Sequence, residues 1–150
     1  MDGSDQALAT LLRRASLRVG QEQAAALSPH GVTLSEWTVL RGLYDLGATS
    51  PSALADACGL TRGAVTKLVD RLRAKRLVVR AAAGREDRRY QTIALTGAGA
   101  NLVPVLAEIV AQAEARAFAG VEAADRAALA SALGALTDPS NRHPREGGDP

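Results

Sequence analysis

The chain has 150 residues, of which 47% are hydrophobic and 3% aromatic, and its formal net charge is +2. This length fits one domain, and the abundance of Ala and Leu, which are strong helix formers, predicts a mostly helical fold. No segment approaches the roughly 18 consecutive apolar residues of a membrane span. One cysteine and a first decade without the apolar core of a secretory leader predict a cytoplasmic protein without disulfides.

Positive charge is concentrated in one part of the sequence. Residues 61–89 contain ten Lys and Arg against three Asp and Glu, a net charge of +7, so the remaining chain carries −5. A basic stripe on an acidic body is typical of a protein that binds a polyanion. A solvated charged surface is the alternative reading of the same pattern.

The first third of the chain predicts three helices. Ser4 is a candidate cap for a first helix, in which apolar residues recur at helical spacing through residue 27, and residues 28–31 predict a turn. Ser35 is a candidate cap for a second helix, which Gly47 ends. A short third helix covers residues 51–59, with a proline in its first turn and a glycine at its end.

The fourth predicted helix runs from Arg62 to about Lys75, is capped by Thr61, and forms a helix-turn-helix with the third. One face is apolar, with residues at i, i+3, i+4 and i+7: Val65, Leu68, Val69 and Leu72. The opposite face is polar and mostly basic: Arg62, Gly63, Thr66, Lys67, Asp70 and Arg71. A glycine inside a helix costs up to about 1 kcal/mol relative to alanine, and close approach to another surface would justify that cost. A merely tolerated glycine is the alternative.

The remaining sequence predicts a β-hairpin and two more helices. Strands at residues 78–79 and 90–95 flank an arginine-rich tip, and helices follow at about 98–119 and 123–136. The apolar stripe of the fifth helix is predicted to be Leu102, Val105, Leu106, Ile109, Val110 and Ala113. Residues 138–150 are rich in Pro, Gly, Arg and Asp and predict a disordered tail. The predicted fold class is mostly α with a small hairpin wing, a winged helix-turn-helix.

This order of elements resembles the MarR family of multiple-antibiotic-resistance regulators, over residues 5–136. Leu34–Leu40 (LSEWTVL) is similar to the opening of the family's second helix, and Leu54–Leu72 (LADACGLTRGAVTKLVDRL) to its helix-turn-helix. Asp87-Arg88-Arg89, followed by Ile93–Thr96, resembles its wing signature. The resemblance implies one domain over residues 4–137, with a DNA-binding lobe at 29–96 and dimerisation helices at 4–27 and 98–136.

The function implied by the resemblance is transcriptional control, usually repression, by a homodimer on a pseudo-palindromic operator, with DNA affinity set by a small effector. An alternative is a winged-helix module for protein assembly without DNA, but that use predicts an apolar or acidic fourth-helix face. The sequence contains no grouping typical of a catalytic triad, a phosphate loop or a metal site, so we expect neither an enzyme nor a bound cofactor.

Candidate DNA-binding residues follow from the fourth helix and the hairpin. We expect Arg62, Thr66 and Lys67 to contact bases or nearby phosphates, and Ser52, Thr61 and Arg71 to contact phosphates. The resemblance implies that Arg89 enters the minor groove, that Asp87 orients it, and that Arg85 and Arg88 face the DNA backbone.

A candidate effector pocket lies beside the second helix. Its aromatic and cationic residues would suit a small aromatic carboxylate or phenol: Arg14, Arg18, Trp37, Arg41 and Tyr44. The alternative is that Trp37 and Tyr44 are core residues. The single cysteine, Cys58, is predicted to be a small buried hydrophobe and not a redox sensor.

Overall fold

Four of the six described α-helices begin after a residue whose side chain binds a free N–H group of the first turn. The computed structural model describes residues 3–82 and 91–141, in the order α1 (Gly3–Leu27), α2 (Leu34–Leu46), α3 (Pro51–Cys58), α4 (Arg62–Ala74), β1 (Val78–Ala82), β2 (Gln91–Leu95), α5 (Gly97–Ala117) and α6 (Ala123–Thr137). Four caps accept a hydrogen bond from the residue three positions later: Thr33, Ser50, Thr61 and Thr96.

Two predicted helix starts differ from the structure. Thr33, not Ser35, caps α2, because the extended backbone at Thr33 brings its hydroxyl oxygen 3.1 Å from the amide of Glu36. Ser35 lies inside the first turn of the helix. The first helix begins at Gly3, so Ser4 also lies within a helix and not before it.

The predicted fold class is confirmed: a helix-turn-helix and a hairpin wing are flanked by terminal helices. The core forms where α2, α3, α4, α5 and the hairpin meet. All four residues of the predicted apolar stripe of α4 are buried. Gly59 makes the turn between α3 and α4 in the left-handed conformation (φ +65°), and its amide donates to the carbonyls of Ala55 and Asp56.

The hairpin is antiparallel and is anchored in the core by Ile93. In its register Val78 pairs with Leu95, Arg80 with Ile93, and Ala82 with Gln91. The loop before α3 adds a short third segment that sequence periodicity does not reveal, because Thr49 exchanges two backbone hydrogen bonds with Ile93, at 2.8 and 3.0 Å. These bonds fix the base of the wing against the helix-turn-helix.

The fifth helix buries half of the predicted stripe, namely Leu106, Val110 and Ala113, together with positions that were not predicted. Val103, which the sequence stripe omitted, is fully buried, whereas Val105 is 52% exposed. The face toward α1 and the hairpin consists of Gly99, Val103, Leu106, Val110 and Ala113. Ala and Gly positions broaden the apolar arc of this helix, so spacing alone did not identify which side packs within the chain.

The terminal helices leave much of their apolar surface uncovered. In α6 every residue except the half-buried Leu133 is exposed, and the exposed fraction of Leu136 is 69%. In α1, Leu8 is 66% exposed, and Leu11, Leu12 and Leu17 are exposed as well. Contiguous apolar surface of this kind is typical of a site that binds another protein surface. Among the described helices, none combines the length and hydropathy needed to cross a membrane.

Candidate nucleic-acid interface

The outer face of α4 carries positive charge that is open to solvent. Arg62, Lys67 and Arg71 are exposed, and no carboxylate in the described part of the chain lies within ion-pair distance of any of them. Gly63 and Thr66 are exposed on the same helix. Five of the predicted DNA-binding residues therefore lie together on one accessible surface of one helix.

The local structure of α4 prepares its N-terminal end for contact with an anion. The hydroxyl oxygen of Thr61 accepts the amide of Ala64 at 3.2 Å, which leaves the neighbouring first-turn amides at an exposed helix terminus. The hydroxyl of Thr66 donates to the carbonyl of Arg62 at 3.0 Å. Its proton is therefore used within the helix, while its methyl group and lone pairs remain available to a partner.

Gly63 leaves the helix backbone uncovered on this face, because glycine has no side chain. A β-carbon built on Gly63 would meet no atom of the described residues within 4 Å beyond its chain neighbours and the backbone of its own helix, so no described contact requires glycine at this position. Its Cα lies between the side chains of Arg62, Thr66 and Lys67 on the helix surface. The structure is thus consistent with a partner that approaches the backbone of α4 closely.

The hairpin is tied to α4 by an ion pair. Arg80 of β1 lies 3.2 Å from Asp70, which also lies 3.8 Å from Arg73. Asp70 was predicted as part of the exposed polar face, and it does lie there, but it neutralises charge at the C-terminal half of the helix. Arg73 and Arg80 are therefore paired with Asp70, and among the described residues the unpaired positive charge of the outer face comes from Arg62, Lys67 and Arg71.

Lys75 does not belong to the basic face. Its Nζ lies 2.6 Å from Oε2 of Glu36 and 2.6 Å from the carbonyl oxygen of Gly31, so it faces α2. Glu36 is 2% exposed. This pair was not predicted from the sequence, although one signal was present: Glu36 precedes Leu40 and Leu43 by four and seven residues and thus occupies an apolar position of α2.

The other predicted DNA-binding residues have mixed positions. Ser52 is half-buried in the first turn of α3, and Ser50, which caps that helix, is exposed beside it. The predicted residues of the wing tip lie outside the described residues: Arg85, Asp87, Arg88 and Arg89. The register of β1 and β2 nevertheless shows where the strands that carry this tip begin and end.

The five candidate effector residues differ in their surroundings. Trp37 belongs to the core, whereas Tyr44 is 47% exposed and does not. Arg14 is exposed, and Arg18 and Arg41 form ion pairs within their own helices, with Glu22 at 3.3 Å and Asp45 at 3.1 Å. A shallow depression of about 560 Å³ lies elsewhere, between the C-terminal end of α4 and β1.

Cys58 is half-buried and packs against the core from the end of α3. Its Sγ donates to the carbonyl of Thr38 at 3.6 Å, and burial raises the pKa of the thiol. A raised pKa lowers the thiolate fraction at neutral pH, which is the opposite of what a reactive cysteine requires. Within residues 3–82 and 91–141 no cluster of His, Cys, Asp and Glu has the geometry of a metal site.

An exposed cationic helix after a tight turn, with a hairpin fixed beside it, defines a winged helix-turn-helix protein. The comparisons with known proteins agree with this class. A family model described as MarR family matches residues 30–89. One similar structure is that of BpsR of Bordetella bronchiseptica, whose DNA binding is regulated by 6-hydroxynicotinic acid. Its sequence is 27% identical, the alignment covers 87% of this chain and 98% of BpsR, and the TM-score is 0.82.

Two further structures extend the comparison. A MarR-family protein of Mycobacterium tuberculosis in complex with salicylic acid is 30% identical, with 86% of this chain and 95% of that chain covered and a TM-score of 0.70. A MarR mutant of E. coli complexed with operator DNA is 23% identical, with 92% and 100% covered and a TM-score of 0.80. None of the curated proteins compared with the chain matches it. The chain belongs to the MarR family and has the fold of its transcriptional regulators.

Proposed function

We propose that the protein is a transcriptional repressor that binds a pseudo-palindromic duplex operator as a homodimer. The observation that carries the proposal is the outer face of α4, where Arg62, Lys67 and Arg71 are exposed without a described counter-ion. This face would enter the major groove, where base edges are distinguishable, and the wing arginine Arg89 would reach the adjacent minor groove. The complex of an E. coli MarR mutant with operator DNA supports an operator duplex as the partner of this fold.

The homodimer is supported by the terminal helices. The exposed leucines of α1 and the almost fully exposed α6 form apolar surface that no described part of the same chain covers. A second copy would cover it by contributing the same surface, as a two-fold interface requires. Two recognition helices related by that axis would read half-sites about one helical turn, roughly 10 bp, apart.

An effector would act near α2. Two relatives support a ligand of this class: the DNA binding of BpsR is regulated by 6-hydroxynicotinic acid, and the mycobacterial protein forms a complex with salicylic acid. Exposed Tyr44, together with Arg41, Arg18 and Arg14, would supply an aromatic ring and cations to it, beside the core residue Trp37. Because Arg18 and Arg41 are already paired, a carboxylate ligand would have to compete with Glu22 and Asp45.

Titration of duplex DNA against ionic strength tests the DNA-binding function. We expect binding by the wild type to weaken steeply with salt, because phosphate contacts release counter-ions. Lys67→Ala should lose about 1–3 kcal/mol on a preferred duplex if Lys67 contacts a base. Arg89→Ala should weaken binding without unfolding the protein. Arg116→Ala, on the exposed end of α5, removes the same charge outside the proposed interface and should bind nearly as well as the wild type.

The same titration separates this function from protein assembly without DNA. A wild-type protein that ignores duplex DNA at low ionic strength would contradict the proposal, as would equal affinities for the wild type, Lys67→Ala and Arg89→Ala. The dimer has its own test: Leu136→Asp should yield monomers by light scattering, because Leu136 would be buried in the dimer. A wild type that is monomeric at micromolar concentration would contradict it.

A further inference from the structure

Among the described residues, one charged side chain is buried, and DNA contact does not explain it. Glu36, in the first turn of α2, is 2% exposed. Its carboxylate accepts a hydrogen bond from Nζ of Lys75 at 2.6 Å, and the same Nζ donates to the carbonyl of Gly31 at 2.6 Å. Burying a carboxylate is costly unless it is paired, so this arrangement requires a reason.

The pair joins two helix ends that determine how α4 is presented. Lys75 is the C-cap of α4, and its amide closes the last turn onto the carbonyl of Arg71. Glu36 and Gly31 lie at and before the N-terminal end of α2. Each charge also has the favourable sign for its own helix dipole, since the anion lies near an N-terminus and the cation near a C-terminus.

Stability alone is a weak explanation for such a pair. Removing the Glu36 carboxylate from water cancels much of its attraction to Lys75, whose side chain remains 40% exposed, and a well-packed apolar replacement is often neutral or stabilising. Geometry is what an apolar contact would not reproduce, because the ammonium group must satisfy two acceptors from different segments at once. The two bonds therefore restrict the rotation and the tilt of the C-terminal end of α4 relative to α2.

We propose that Glu36 and Lys75 are positioning residues that set the orientation of α4 for sequence-specific DNA recognition. The inference rests on the proposed function and adds a determinant of specificity that lies outside the DNA-contacting face. Lys75, although counted in the basic segment of the sequence, directs two of its three ammonium donors to Glu36 and Gly31, so the role assigned to it here is positioning and not phosphate contact.

The test uses four full-length variants. Glu36→Leu removes the charge and the acceptor but can pack with Leu40 and Leu43 on the apolar side of α2. Glu36→Gln keeps an acceptor for Lys75, and Lys75→Met removes the cation from the other side. The double variant, Glu36→Leu with Lys75→Met, completes a thermodynamic cycle.

The control and the probes separate positioning from net charge. Asp45→Asn, on the exposed side of the same helix, makes the same change of charge as Glu36→Leu. The specific probe is the tightest duplex that the wild type selects from a random library, and the non-specific probe is a mixed-sequence duplex without that site. Affinities are measured by fluorescence anisotropy at one ionic strength. The temperature is about 20 °C or more below the melting temperature of each variant, so that every variant is folded.

Positioning and electrostatics predict different results for Glu36→Leu, because electrostatics alone leaves the ratio of specific to non-specific affinity nearly unchanged. Removing an acid raises the net charge, which by itself strengthens binding to any duplex. We expect instead that the ratio of specific to non-specific affinity falls about fivefold or more, comparable to the loss of one base contact. Glu36→Gln should retain most of the ratio, Asp45→Asn should leave it unchanged, and the double variant should lose no more than the larger single loss.

Three results would overturn the inference. They are an unchanged or increased ratio in Glu36→Leu, an equal fall in Asp45→Asn, and losses that add in the double variant. Additive losses would mean that Lys75 contacts DNA independently of Glu36. If the wild type selects no duplex at all, the proposed function itself fails, and this outcome is distinct from a wild type that binds specifically while its variants do so equally well.

Discussion

Substituting Gly63 by alanine should move stability and DNA affinity in opposite directions. Apart from its own helix backbone and chain neighbours, a β-carbon at this position meets no atom of residues 3–82 and 91–141 within 4 Å, so the added methyl group introduces no clash with the described part of the free protein. Alanine is favoured over glycine inside a helix by up to about 1 kcal/mol. Gly63 is the second residue of α4, where part of that preference is realised, so the free energy of unfolding should rise by about 0.5 kcal/mol.

The same methyl group would cover the exposed backbone between Arg62, Thr66 and Lys67. If the backbone of α4 approaches the base edges there, the duplex has to withdraw, and contacts worth about 1–3 kcal/mol are strained or lost. We therefore expect affinity for the selected duplex to fall about tenfold, which corresponds to about 1.4 kcal/mol. Binding to mixed-sequence DNA, which rests on phosphate contacts, should change much less.

Urea denaturation and anisotropy titration of Gly63→Ala measure the two effects on the same preparation. Ala64→Ser, at the adjacent half-buried position, is a matched small change away from the centre of the exposed face. A Gly63→Ala protein that is more stable and binds the selected duplex as tightly as the wild type would contradict the close approach of DNA to the backbone of α4. Gly63 would then be only a tolerated glycine, and the centre of the interface would lie elsewhere.

Three more predictions follow from the local packing. Gly99→Ala places a β-carbon against the backbone carbonyl of Leu77, so the free energy of unfolding should drop by about 1–3 kcal/mol; a urea midpoint like that of the wild type would contradict this. Thr61→Ala removes the cap of α4 and should cost about 1 kcal/mol by the same measurement, and an unchanged midpoint would show that the cap contributes nothing. Burial raises the pKa of Cys58, so iodoacetamide should label the native thiol more slowly than the urea-unfolded thiol at pH 8. The pH at which labelling reaches half its maximal rate should also be higher in the folded protein, and equal labelling rates would contradict the burial.

Much of the fold could be predicted because it depends on short-range chemistry. A hydroxyl three residues before an amide and a glycine after an apolar run determine helix ends within a few positions of the chain. Thr61, Gly59 and the stripe from Val65 to Leu72 were therefore identified correctly. Where two candidate caps lay two residues apart, at Thr33 and Ser35, the backbone conformation decided between them, and a sequence pattern does not contain that conformation.

Periodicity and charge are properties of the chain, so the basic helix after a tight turn and the apolar helices that flank it could be predicted before folding was considered. Which cations remain unpaired depends on how the elements pack. Lys75 is bound by Glu36, 39 positions away, and Arg80 by Asp70 on the neighbouring helix. Charges so far apart in sequence meet only after the core has brought α2, α4 and the hairpin together, so the position of the open cationic face is a consequence of packing.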